Sequence, residues 1–257
     1  MNADQIILNP DPGPLSFFDA NGNAGTSNIS RLLISSAAGI NAATTKYVCK
    51  TRTDIFFRNN NIVHHYRNLL KKYPNRMTDK THFSERLIVH EQFSKNSRYF
   101  KSHLGYLSDI LLYGSKTDLC SLFSTPPQIN NFSQCFFHNE VYLWLPHLSI
   151  KTEQSLLDAS KYYESFVGNN LFVCNSKDLG TTTPFDGRYP YSRCLTFSFS
   201  DWKPLYRIYC KGEKRLNSVF ALKSFLKRLA LEFFPIKLKA RLEKIKSIVS
   251  KLSLAKS

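Results

Sequence analysis

The sequence has no apolar run of 18 residues, so a membrane-spanning helix is not expected. Ten Gly and eleven Pro in 257 residues are too few for a collagen-like or low-complexity chain. No two cysteines form a CxxC pair, and no Cys/His cluster has zinc-site spacing. The GxSxG, GxGxxG and Walker motifs are absent, so serine-hydrolase, dinucleotide-binding and P-loop readings lose their usual signals. Acids are scarce too: 19 Asp and Glu face 35 Lys and Arg, a formal net charge of +16. What is abundant is apolar and aromatic, 42% and 14% of the residues, which supports a sizeable core and excludes an intrinsically disordered chain. Cys49, Cys120, Cys135, Cys174, Cys194 and Cys210 each sit among apolar or aromatic neighbours and read as buried free thiols of a reducing compartment.

The positive charge is concentrated at one end. Residues 211–257 carry 13 Lys and Arg against three acids, so ten of the sixteen net charges lie there. Leu238, Leu242, Ile245, Val249 and Leu252 recur at helical spacing, and Lys237, Lys239, Arg241, Lys244, Lys246 and Lys251 fall largely outside that stripe. A basic amphipathic helix at 237–252 fits an anionic membrane surface. It equally fits a terminal helix packed on its own domain with a solvated basic face. The simplest partition is an α/β domain over 1–210 and a basic helical tail over 211–257. Nucleic acid is not expected as a partner, because the body lacks an RRM, KH or helix-turn-helix signature.

Along the chain, residues 5–8 (QIIL) read as a buried strand. A helix capped at Ser27 or Asn28 follows, with Ile29, Leu32, Leu33, Ser36 and Ile40 on its apolar face. Residues 46–50 then read as a strand, and this order suggests a βαβ unit with parallel strands. A helix starting at Asn60 or Asn61 should stop near Pro74. Residues 86–90, 171–175 and 205–209 read as strands, and Asn139–Leu148 and residues 153–167 as helices. Ser115 and Asp118 form an S-x-x-D capping box for a helix through Phe123, and 180–190 is a polar loop.

Three segments carry candidate chemistry. Lys50, Arg52 and Asp54 follow a strand at alternate positions and so point to one side. Ligands bind outside the carboxyl ends of strands in open α/β sheets. Two cations there suit a diphosphate, and one carboxylate suits a divalent metal bridging it; the plainer alternative is a strand-end ion pair. Asp109 precedes an apolar run and could bind a metal, orient a sugar hydroxyl, or simply hydrogen-bond in a turn. Glu140 opens a helix, where the helix dipole favours a carboxylate anyway; in a cleft it could serve as general base. His64 and His65 read as a helix-surface pair.

Together these segments resemble the WavE family of lipopolysaccharide-synthesis proteins. The resemblance runs over roughly residues 6–150, through Asp11-Pro12-Gly13, Asn28-Ile29-Ser30-Arg31, ATTKYVCKTRTD at 43–54, SDILLYGS at 108–115, Asp118-Leu119 with Leu122-Phe123, and NEVYL at 139–143. It implies a GT-A-like, Rossmann-type α/β glycosyltransferase, cytoplasmic and peripheral at the inner membrane. Such an enzyme moves a sugar from a nucleotide-sugar donor to a lipopolysaccharide or surface-polysaccharide acceptor. It implies a Mn or Mg ion at Asp54, Glu140 and Asp109 as catalytic groups, and Lys50, Arg52 and Arg31 on the donor. Relatives usually begin with a further strand, a Gln-Gly-Pro-type loop and a helix before the segment matching residues 5–8. Only four residues precede it here, so the resemblance also admits a truncated, non-catalytic relative that scaffolds polysaccharide assembly.

Overall fold

The structure is a computed structural model and describes residues 5–18, 24–96, 104–126, 139–148, 156–184 and 196–213. The basic helix read at 237–252, Cys135 and Cys194 lie outside the described residues. An antiparallel hairpin, β1 (Leu15–Phe18) with β2 (Ala24–Ser27), leads into α1 (Ile29–Ala42). Then come β3 (Tyr47–Thr51), the two-residue β4 (Phe56–Phe57) and α2 (Asn61–Lys72). Next are β5 (Leu87–His90), β6 (Leu111–Ser115), α3 (Lys116–Ser124), α4 (Asn139–Leu148) and α5 (Leu156–Asn170). The last elements are β7 (Leu171–Cys174), the single turn α6 (Ser176–Leu179), β8 (Thr181–Thr182) and α7 (Phe199–Lys211).

The main sheet has four strands in the order β3-β6-β5-β7, and α1, α3 and α5 each touch it or one another. The chain is therefore α/β, with a mixed sheet. β6 runs antiparallel to both β3 and β5, while β5 and β7 are parallel. It follows that β3, β5 and β7 all point the same way. Their carboxyl ends and the entry to β6 share one rim of the sheet. The two central strands are apolar runs buried on both sides, as Leu87, Ile88 and Val89 of β5 and Leu111 and Leu112 of β6 show.

Three expectations need correction. Residues 5–8 form no strand: Ile6 and Leu8 are 78% and 90% exposed, so nothing among the described residues covers them. The expected parallel βαβ unit is also absent. β2 and β3, either side of α1, lie in different sheets, and β3 pairs antiparallel with β6. Residues 205–209 belong to α7 rather than a strand. There a full capping box at Ser198 and Asp201 starts the helix, and Gly212 at φ 66° ends it. Trp202, Leu205 and Tyr206 are its buried positions. Their helical spacing carries the segment into the core, and the alternation within residues 205–209 does not.

The Ser115–Asp118 signal is half a capping box. Ser115 Oγ accepts from the Asp118 N–H at 3.1 Å, as expected. The Asp118 carboxylate, however, accepts from the N–H groups of Ser84 and Glu85 and from the hydroxyls of Ser84 and Ser115. It ties the start of α3 to the segment entering β5. Asp118→Ala strands those buried donors and is expected to cost about 2–3 kcal/mol, read as a lower midpoint in urea unfolding with an unchanged slope.

Candidate functional site

β3 brings Lys50 to the rim, and the turn before β6 brings Asp109 opposite it. The Lys50 ammonium donates to the Asp109 carbonyl and lies 3.6 Å from its carboxylate; the two side chains are only 10% and 14% exposed. Glu140, at the start of α4, feels both of them and Arg52 electrostatically. Burial, helped by the Asp109 charge, raises its pKa from 4.5 to about 7, while Lys50 and Arg52 work against that rise. Burial likewise lowers the Lys50 pKa, partly offset by Asp109. Lys50, Arg52, Asp109 and Glu140, read from three separate segments, thus form one charged cluster. A titratable acid with its pKa near neutrality, electrostatically coupled to a buried cation, is a functional-site signature.

Arg52 is about half exposed, and its guanidinium donates to both oxygens of Asp54, at 3.0 and 2.9 Å. That bidentate bond holds the Asp54 carboxyl below its ordinary pKa. Both Asp54 oxygens are therefore engaged by a cation, the plainer of the two arrangements that the sequence allowed. Among the described residues, no three His, Cys, Asp or Glu lie close enough to hold a metal ion. A divalent ion at Asp54 would have to take the place of the Arg52 guanidinium.

Arg31 stands apart from the cluster. It forms an exposed two-point ion pair with Asp11 and donates to Asn28 Oδ1. It ties α1 to the segment before β1. The His64–His65 pair divides as the helix turns. His64 is exposed, whereas the His65 Nε2 is buried without a hydrogen-bond partner among the described residues, and burial lowers its pKa.

Two cavities flank the rim. A groove of about 560 Å³ runs between α1, at Leu32, Ser35 and Gly39, and β3 with the turn after it, at Val48, Lys50 and Arg52. A second cavity, of about 620 Å³, lies where β5 and β7 end, beside Glu91, Asn175 and Ser176. Both fall within the size range of small-molecule sites. The second was missed from sequence, although the strand-end rule applied at Lys50 holds equally for the strand that precedes Asn175.

No curated protein and no solved structure matches the chain. A family model described as WavE lipopolysaccharide synthesis matches residues 1–160, which include Lys50, Arg52, Asp109 and Glu140. With that match over more than half its length, the chain belongs to the WavE family of lipopolysaccharide-synthesis proteins.

Proposed function

We propose that this chain is a glycosyltransferase of GT-A-like fold that moves a sugar from a nucleotide-sugar donor to a lipopolysaccharide or surface-polysaccharide acceptor. The observation that carries the reading is the convergence of Lys50, Arg52, Asp109 and Glu140 at the carboxyl ends of co-directional strands. The donor lies along the groove between α1 and β3, with its diphosphate toward Arg52 and Lys50. As the glycosidic bond breaks, negative charge builds on the departing phosphate, and these fixed cations stabilise it. Glu140, with its pKa near neutrality, accepts the proton of the acceptor hydroxyl. Lys50 holds Asp109 in place through its carbonyl and carboxylate, and Asp109 orients the acceptor. The basic stripe read at 237–252 would keep the enzyme at an anionic membrane surface, near a lipid-linked acceptor.

The test is nucleotide release from a panel of UDP-, GDP- and CMP-sugars by the purified full chain. Lys50→Met is expected to lower it by about 100-fold. Circular dichroism checks that this variant folds. The exposed Arg52→Ala is expected to raise the donor KM about tenfold. If calorimetry finds no affinity for any donor, the scaffold reading replaces this one.

A further inference from the structure

The cavity at the ends of β5 and β7 has an unequal donor and acceptor inventory. Asn59 Oδ1 accepts from the Asn61 N–H at 3.0 Å, and Asn175 Oδ1 from the Asp178 N–H at 2.8 Å. Both carboxamide oxygens are thus spent on the backbone, and the Nδ2 groups are the ends left for a ligand. Arg58 is fixed twice: its backbone N–H donates to the Gly180 carbonyl, and its Nε donates to Thr182 Oγ1 at 2.6 Å. Among the described residues, its Nη groups and the Lys177 ammonium have no hydrogen-bond acceptor. Gly180 has φ 67°, and a Cβ there would lie 2.0 Å from Asn59 Oδ1. Only glycine lets these two segments close on each other.

We propose that this cavity binds a saccharide-sized ligand bearing one anionic group, a carboxylate or a phosphate, held by Arg58, Lys177 and the amides of Asn59 and Asn175. Among the described residues, two cations and two amide donors face one carboxylate, Glu91, on the wall. The excess of donors selects an anion. The Glu91 carboxylate adds a negative charge to the wall and so disfavours a bare polyanion. The Ser176–His90 pair is not arranged as a nucleophile and its base. His90 Nδ1 accepts from the Gln92 N–H, so a neutral ring carries its proton on Nε2 and donates it to Ser176 Oγ at 3.0 Å. That tautomer cannot serve as base to Ser176. Joined to the transferase reading, on which this last step rests, the cavity receives an acidic sugar of the acceptor.

The test is direct binding to the full chain, by calorimetry, of glucuronate, glucose 6-phosphate, glucose and inorganic phosphate. The two anionic sugars separate carboxylate from phosphate as the preferred group. At least one is expected to bind ten times more tightly than glucose and more tightly than inorganic phosphate. Arg58→Gln with Lys177→Gln changes two exposed side chains and should weaken that binding at least tenfold. The readout is binding of a free monosaccharide, so a failed transfer assay does not decide this proposal. Equal binding of glucose, equal binding of inorganic phosphate, or binding indifferent to the double variant overturns it.

Discussion

Replacing Glu140 with Gln is expected to slow sugar transfer by roughly 10²–10⁴-fold and, at pH 8, to raise the thermal unfolding midpoint. Gln keeps the shape of the side chain and cannot take a proton. In the native protein the base form appears only above about 7, so the rate should climb between pH 6 and 8 and then level off. The stability effect has the opposite sense. The unfolded chain releases this proton near 4.5, the folded one near 7. Between those values the folded state holds more protons, so stability falls as pH rises. The raised pKa corresponds to a cost on the order of 1–3 kcal/mol above pH 7, which Gln removes. At about 2–4 °C per kcal/mol, the variant should melt several degrees higher at pH 8 and level with the native protein near pH 4. A flat pH profile for the native enzyme, or a Gln variant with normal turnover, rules out the base role.

Much of the site was legible because its residues keep local signals. Lys50, Arg52 and Asp54 alternate after an apolar strand, and Glu140 opens a helix. The order of the strands was not legible. Whether β3 lies beside a parallel or an antiparallel neighbour depends on β6, more than 50 residues later. Local pattern does not encode that pairing. Residues 5–8 show the same limit: an apolar, β-prone run is a strand only where an edge receives it, and Ile6 and Leu8 meet none among the described residues. In α7 the alternation of residues 205–209 lost to a capping box and a buried face that spread over 13 residues. The convergence of Lys50, Asp109 and Glu140 was legible only through the family resemblance, since spacing within one segment says nothing of the other two.

Arg86→Leu is expected to cost about 3–5 kcal/mol, against a total stability of about 5–15 kcal/mol for a domain. Nothing in its sequence context marks Arg86, one cation before an apolar strand. In the fold it is 1% exposed, and no carboxylate pairs with it among the described residues. Burial lowers its pKa, yet a guanidinium remains charged. Helix ends supply the compensation. Its Nη1 donates to the Tyr73 carbonyl at the end of α2, and its Nη2 to Asn75 just beyond, at 2.7 and 2.6 Å. Its Nε donates to the Gly168 carbonyl in the last turn of α5, and Nη2 also reaches Cys210 Sγ in the last turn of α7. Three helix carboxyl ends, each carrying partial negative charge, therefore meet on one cation. Phe172, Trp202 and Tyr206 present their rings to it at 5.2–5.8 Å. Leucine fills part of the space, takes the Arg86 donor from the Tyr73 and Asn75 carbonyls, and leaves the Gly168 carbonyl only the long contact from Cys210 Sγ. Lysine restores a charge but not the planar fork, and should recover only part of the loss. The predicted result is a fall of more than about 8 °C in the melting midpoint for Leu, with Lys in between. A Leu variant melting within 2 °C of the native protein would show that water, rather than Arg86, satisfies those helix ends.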